Sequence, residues 1–196
     1  RSGWRSRFYC ILTRRNEFRA VLEGIEEVSR LNFPTVKLNA VLMKGINDTK
    51  IEEFVAFADK YGMKMRFIEL MPFPSQESFA ENSFVSAKEI IESHPEWKYI
   101  GSKNHSVAEY YQMPNGMEVG FIRPMSDKFC STCNRVRITA DGMLLNCLHH
   151  KTGCDLRAHI DKDLEEFIYA CISRKPLCHT LESGATQTLD MNEIGG

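Results

Sequence analysis

The sharpest chemical signal in this sequence is Cys130-Ser-Thr-Cys133 followed, after thirteen residues, by Cys147. A C-x-x-C turn aims two thiolates at one ion or cluster. The Asp141-Gly142 pair between them is a favoured two-residue turn, so the strand folds back and returns Cys147 to the neighbourhood of Cys133. Three soft thiolates suit zinc or an iron–sulfur cluster, and on the residues alone structural zinc, the commoner occupant of such spacing, comes first. Structural zinc takes a fourth ligand, and His149 or His150 stands two or three residues past Cys147. A cluster on three thiolates keeps one iron open to a ligand or substrate. The remaining cysteines, Cys10, Cys154, Cys171 and Cys178, form no such set, and Cys171 reads as core because it sits on an apolar helical stripe.

Asn134-Arg135-Val136-Arg137 lies between the second and third thiols. Arginines at i and i+2 on a strand face the same way, and guanidinium forks bind phosphate bidentately. Beside a metal the pair would hold a polyphosphate; on an isolated strand it is a solvated face. Lys37 and Arg66 stand inside apolar strands, where a charge is costly unless it meets an anion, a polar lumen or an acid such as Glu69.

The elements that must position these groups read in order along the chain. Phe18, Val21, Leu22, Ile25, Val28 and Leu31 recur at helical spacing, which predicts an amphipathic helix over residues 16–31, stopped by Pro34. Residues 35–43 predict a strand apolar on both faces, hence a buried parallel strand. After the Lys44-Gly-Ile-Asn-Asp48 loop, Thr49 and Glu52 have capping-box spacing ahead of a helix whose stripe is Ile51, Phe54, Val55, Ala58 and Tyr61, with Gly62 as its stop. Residues 63–71 make the next strand, closed by Pro72 and Pro74. Helix–strand–helix–strand with short connections is the grammar of a parallel sheet or (β/α) barrel. Beyond about residue 75 the texture changes to a short helix opened by Ser86 and hairpins around Pro114-Asn115-Gly116 and Asp141-Gly142. A late helix follows through Leu164, Phe167, Ile168 and Cys171. The fold class is α/β: a piece of a (β/α) barrel, then a mostly β metal-binding lobe.

The composition excludes several classes. Of 196 residues, 43% are hydrophobic and 26% charged, so the chain buries a core rather than staying disordered. A net charge of −1 gives no bulk field for nucleic acid or anionic lipid. No apolar run spans a bilayer. Seven cysteines without framework spacing point to a reducing compartment, cytoplasmic or matrix rather than secreted. The first residue is Arg1, not Met, and the first nineteen residues hold six arginines against one acid, Glu17. That start reads as an arbitrary fragment edge or the remnant of an organelle-targeting segment.

Taken together, Lys37-Leu-Asn39, the Lys44–Asp48 loop, Arg66-Phe-Ile-Glu69-Leu-Met71-Pro72, the block from Phe129 to Gly142, Cys147-Leu148 and the terminal Ile194-Gly195-Gly196 resemble the GTP 3′,8-cyclases. These are radical S-adenosylmethionine enzymes (the MoaA family) that open molybdenum-cofactor biosynthesis. The resemblance runs from about Arg14 to the last residue, leaves residues 1–13 unmatched, and favours a [4Fe–4S] cluster over zinc. It implies the C-terminal part of a radical-SAM partial barrel over residues 14–74 and an iron–sulfur, GTP-binding domain over 75–196. Cys130, Cys133 and Cys147 would hold the cluster, whose open iron would take the guanine. Lys37, Arg135, Val136 and Arg137 would contact GTP, Met71 and Arg66 the S-adenosylmethionine, and Gly195-Gly196 would assist as a tail. In the family a 5′-deoxyadenosyl radical takes hydrogen from ribose C3′, which then attacks C8 of guanine. The implied partners are a second copy in a homodimer and a downstream cyclic pyranopterin monophosphate synthase, with the matrix as compartment in a eukaryote.

The departures limit this. The family's N-terminal C-x-x-x-C-x-x-C, which binds the second [4Fe–4S] cluster and cleaves S-adenosylmethionine, has no counterpart in these residues, and Cys10 stands alone. Thr180 to Asp190 lacks the basic residues expected before the tail. The chain therefore reads either as the C-terminal portion of such an enzyme, inactive by itself, or as a truncated paralogue or zinc-stabilised module that binds without radical chemistry.

Overall fold

Two helices, Gly3–Thr13 (α1) and Phe18–Arg30 (α2), precede the sheet in the computed structural model, which describes residues 3–31, 33–73, 77–102, 106–148 and 153–179. The stripe read for α2 is only partly covered. Ile25 and Val28 reach the core, whereas Val21 and Leu31 are 42% and 58% exposed. Lys37–Leu42 (β1) and Lys64–Glu69 (β2) run parallel, with Lys37 opposite Lys64 and Leu42 opposite Glu69. Their crossover is the helix Ile51–Lys60 (α3), as a parallel pair requires.

The Lys44–Asp48 loop is built by its own amides and carboxylate. Asn47 is buried and donates from Nδ2 to the Val41 carbonyl at 2.7 Å, while its Oδ1 accepts from the Met43 N–H at 2.8 Å. Asp48 Oδ1 accepts from the N–H groups of Gly45 and Thr49. The capping box expected of Thr49 and Glu52 does not form: Lys50 occupies the cap position with no side-chain bond. Asp48 has already ordered the Thr49 backbone, which leaves the threonine outside the cap.

Glu77–Ser83 (α4) and Ala87–Glu92 (α5) lead into Lys98–Ser102 (β3), Glu109–Gln112 (β4) and Glu118–Ile122 (β5). Ser86 caps α5, its hydroxyl accepting from the Lys88 N–H at 3.1 Å. The β4–β5 hairpin turns where the Pro114-Asn115-Gly116 run lies, Gly116 at φ +85° supplying the left-handed residue. β5 then lies parallel beside β2, giving the order β1-β2-β5-β4-β3. Residues on both sides of position 75 thus share one sheet.

Strand alternation divides that sheet into two faces. Leu42, Met65, Phe67, Val119 and Phe121 are buried with Val55 and Ala58 of α3, Ile90 of α5 and Trp97. Phe67 and Phe121 are register partners with stacked rings 5.9 Å apart. The opposite face carries Lys37, Asn39 and Val41 on β1, all exposed, beside Arg66 and Ile68 on β2. The expectation that β1 is buried on both faces is corrected by this. Among the described residues β1 is a sheet edge with one face open, because its apolar composition reports only the inward residues Leu38, Ala40 and Leu42.

A second, antiparallel sheet follows: Arg137–Ile138 (β6), Met143–Leu145 (β7) and Cys154–Asp155 (β8), with Leu164–Ser173 (α6) packed on it through Leu144, Leu156 and Cys171. Cys171 is in the core as expected, at 1% exposure, but its sulfur is bonded to Cys154. The cysteines lack the spacing of a disulfide framework, and this single bridge is the one pairing among the described cysteines. Spacing along the chain says nothing of this pair, because it is the seating of α6 on β8 that brings the two α-carbons to 6.4 Å. No helix among the described residues is long and apolar enough to cross a membrane.

Candidate functional site

The hairpin turn is the local device that gathers the site. Thr139 N–H donates to Met143 O, Gly142 N–H to Thr139 O, and the Thr139 hydroxyl bonds Asp141 Oδ1. Gly142 has φ +83°, and a Cβ there would lie 2.8 Å from Cγ of Arg157, so glycine is required twice over. Arg157 is held in that place by Asp155, which accepts from its backbone N–H at 3.0 Å and from Nε at 3.1 Å. Those hydrogen bonds keep the Asp155 carboxyl below its ordinary range.

Cys130 opens a short 3-10 turn, Cys130–Thr132, and Cys133 closes it with its N–H on the Cys130 carbonyl at 3.2 Å. Cys147 lies two residues past the end of β7, after Asn146. All three thiols line one cavity of about 220 Å³, together with Arg135, Val136 and Arg137. Its walls are apolar, with Phe129, Leu145 and Met71 among them. The cysteines are half-buried, Arg135 and Val136 exposed, and Arg137 half-buried. Only Arg137 belongs to β6, so Arg135 reaches the cavity from the loop before the strand. Among the described residues no three His, Cys, Asp or Glu side chains form a group that would hold a metal ion. His149, His150, Gly195 and Gly196 lie outside the described residues.

The other expected site residues divide. Met71, just beyond β2, is a wall of this cavity. Arg66 and Lys37 are not. Arg66 lies on the same sheet face as the cavity residues Ile68 and Ile122, and its Nε donates to Asn39 Oδ1 at 2.9 Å. Lys37 shares that face at the opposite end of β1, level with Lys64. Neither pairs with Glu69, because Glu69 alternates onto the buried face at 0% exposure. There its carboxylate accepts from the N–H groups of Ala87, Met125 and Ser126, each at 2.9 Å, and from the Ser126 hydroxyl. Glu69 thus ties the end of β2 to the segment running into Phe129 and Cys130.

Three further residues hold the site without a motif to announce them, and a fourth, Arg123, precedes its Pro124 wall. Lys175, past the end of α6, donates to the carbonyls of Cys133 at 2.8 Å and Arg135 at 2.7 Å and lies 3.4 Å from Cys133 Sγ. His179 lines the cavity and holds the Pro124 carbonyl at 2.7 Å through Nε2. Asn146, beside Cys147, donates to the Cys171 carbonyl. Arg123 is committed to Glu109 and to Asp127 at 2.6 Å. Burial would lower its guanidinium, but the two carboxylates outweigh that and hold it above its ordinary range. A lysine after a helix reads from sequence only as a partner for the helix C-terminus; its contacts 40 and 42 residues away are tertiary.

Residues 63–181, which include the cysteine and arginine site, match the family described as Molybdenum Cofactor Synthesis C. The chain belongs to that family. It is 38% identical over 190 residues to the GTP 3′,8-cyclase of Clostridium botulinum (strain Okra / Type B1), covering 94% of this chain and 60% of the relative. With the GTP 3′,8-cyclase of Alkaliphilus oremlandii it shares 38% over 195 residues, 96% of this chain and 61% of the relative. The enzyme of that name from Peptoclostridium acidaminophilum is also 38% identical, over 58% of its length. The chain therefore spans about 60% of the length of the curated relatives it matches.

Proposed function

We propose that this chain is the GTP-holding, cluster-bearing portion of a GTP 3′,8-cyclase, in which residues 75–196 carry the site and 14–74 supply the remainder of a radical-SAM partial barrel. The observation that carries the reading is that Cys130, Cys133 and Cys147 line one cavity with Arg135 and Arg137. The chemistry of the donor set suits a [4Fe–4S] cluster, three soft thiols on apolar walls with a lysine cation at one of them, although the three are not gathered into a group that would hold a single metal ion. Bound there, such a cluster offers one iron without a protein ligand, a Lewis-acidic seat for a purine.

The chain's own residues do the rest. Arg135 and Arg137 neutralise the triphosphate beside the base, and Val136 fills the wall between them. Lys37 adds a point charge on the same sheet face, and Arg66, oriented by Asn39, lies between Lys37 and the cavity. Met71 in the cavity wall faces where S-adenosylmethionine would enter. The apolar walls exclude water from the reacting carbons. These 196 residues contain no C-x-x-x-C-x-x-C run, so this chain by itself does not cleave S-adenosylmethionine. A homodimer, a cytoplasmic or matrix setting, and delivery of product to a cyclic pyranopterin monophosphate synthase belong to the same proposal.

The test is anaerobic reconstitution followed by titration. The protein should turn brown with about three to four irons per chain and bind GTP more tightly than guanosine, by a margin that shrinks with salt. Arg135→Ala and Arg137→Ala should each weaken GTP binding about tenfold, since a charge-assisted hydrogen bond contributes roughly 1.5–3 kcal/mol. Lys37→Ala should act less, a lysine having no planar fork. Colourless protein with one stoichiometric zinc, or equal affinity for GTP and guanosine, refutes the reading.

A further inference from the structure

The residues after α6 converge on both cysteine-bearing segments. Lys175 is fixed on its own side by its N–H to Ile172 O at 2.9 Å, after Arg174 N–H has closed on Cys171 O. Cys171 in turn is held by the disulfide to Cys154 and by Asn146, the residue before Cys147. From this seat the Lys175 ammonium directs its donors, among the described residues, at Cys133 (carbonyl and sulfur) and Arg135 (carbonyl). An ammonium has three donors and no acceptor, so this set uses its capacity in full. The half-buried position of Lys175 also limits competition from water.

We propose that Lys175 is a positioning residue for the cysteine–arginine site: it clamps the Cys133–Arg135 backbone and places a positive charge on the Cys133 sulfur. The second half rests on the cluster reading given above. The clamp fixes which way Cys133 and Arg135 face. The cation favours the more negatively charged state of whatever the sulfur ligates, because a hydrogen bond to a ligating sulfur raises a cluster's potential. Lysine and arginine both deliver charge here, whereas methionine keeps the apolar stem and removes the donors.

The test compares Lys175→Met and Lys175→Arg with wild type, and with the surface control Lys88→Met. In the metal-free full chain, hydrogen–deuterium exchange of the amides in 133–137 should quicken at least about tenfold in Lys175→Met, with recovery in Lys175→Arg. In anaerobically reconstituted protein, the midpoint potential of the cluster should fall in Lys175→Met. A tenfold change in the oxidised-to-reduced ratio is about 59 mV for one electron. Lys175→Arg should hold the potential near wild type. Unchanged exchange, or an unchanged potential in Lys175→Met, overturns the proposal. Wild-type protein that takes up no iron instead refutes the cluster reading, and the exchange arm still decides the clamp.

Discussion

Replacing Glu69 tests whether one buried carboxylate joins the sheet to the cysteine loop. Glu69→Ala strips the acceptor from the N–H groups of Ala87, Met125 and Ser126 and from the Ser126 hydroxyl. An orphaned buried donor costs about 1–3 kcal/mol, so three N–H groups give roughly 3–9 kcal/mol. Water entering the vacated space recovers part of that, and about 4 kcal/mol is expected. Domains of this kind have only about 5–15 kcal/mol to lose. For a chain of this length the corresponding fall in Tm is roughly 8–16 °C. Glu69→Gln should cost less, about 1–3 kcal/mol. Its oxygen can still serve Met125 and Ser126, its NH2 can donate to the Ser126 hydroxyl, and only the Ala87 N–H is left facing a donor. The assay is urea unfolding followed by the fluorescence of Trp97, which is buried and stacked on Phe121 at 6.1 Å, alongside far-ultraviolet circular dichroism. Iron uptake should fall with stability, because the released segment begins five residues before Cys130. A Glu69→Ala protein within about 1 kcal/mol of wild type, or a glutamine variant as damaged as the alanine one, would refute the reasoning.

Gly142→Ala should destabilise the cysteine hairpin by about 1–2 kcal/mol through the left-handed backbone alone, with a further cost as Arg157 is displaced. Denaturant midpoints and iron retention measure it, and a neutral result would show that the turn relaxes. Under non-reducing denaturation of metal-free protein, thiol titration should count five cysteines, with Cys154 and Cys171 appearing only after reduction; seven at once would exclude the bridge. Asp155 and Asp163 both have carboxyls held low, Asp155 by Arg157 and Asp163 by the hydrogen bond from His159. A lowered folded-state value means that their contribution is complete above the unfolded carboxylate range, near pH 4. It is lost as pH falls below that. Asp163→Asn should therefore flatten part of the acid limb of stability against pH, as read by thermal melts at stepped pH, and an unaltered acid limb would refute the contribution.

Whatever depends on neighbours a few residues apart was legible along the chain. The C-x-x-C turn, the Asp141-Gly142 reversal that carries Cys147 back, the β4–β5 hairpin and the helices over α2, α3 and α6 are all set by turn chemistry and by spacing of 2 or 3.6 residues. Those signals grouped three thiols and two guanidiniums along the chain, and the cavity they share also takes Ile68, Met71 and Ile122 from the large sheet. The remainder depends on how the elements pack against one another. That Arg66 and Glu69 face opposite ways follows from their odd spacing on one strand. Which face is buried, and hence that Glu69 meets the N–H groups of Ala87, Met125 and Ser126, was decided by α3 and α5 packing on that face. The apolar look of β1 could not separate a central strand from an edge, since composition records what is buried on one face and not what lies alongside. The Cys154–Cys171 bridge and the reach of Lys175 to Cys133 join positions 17 and 42 residues apart. No local periodicity reports such pairs, because only the seating of α6 on the small sheet brings them together.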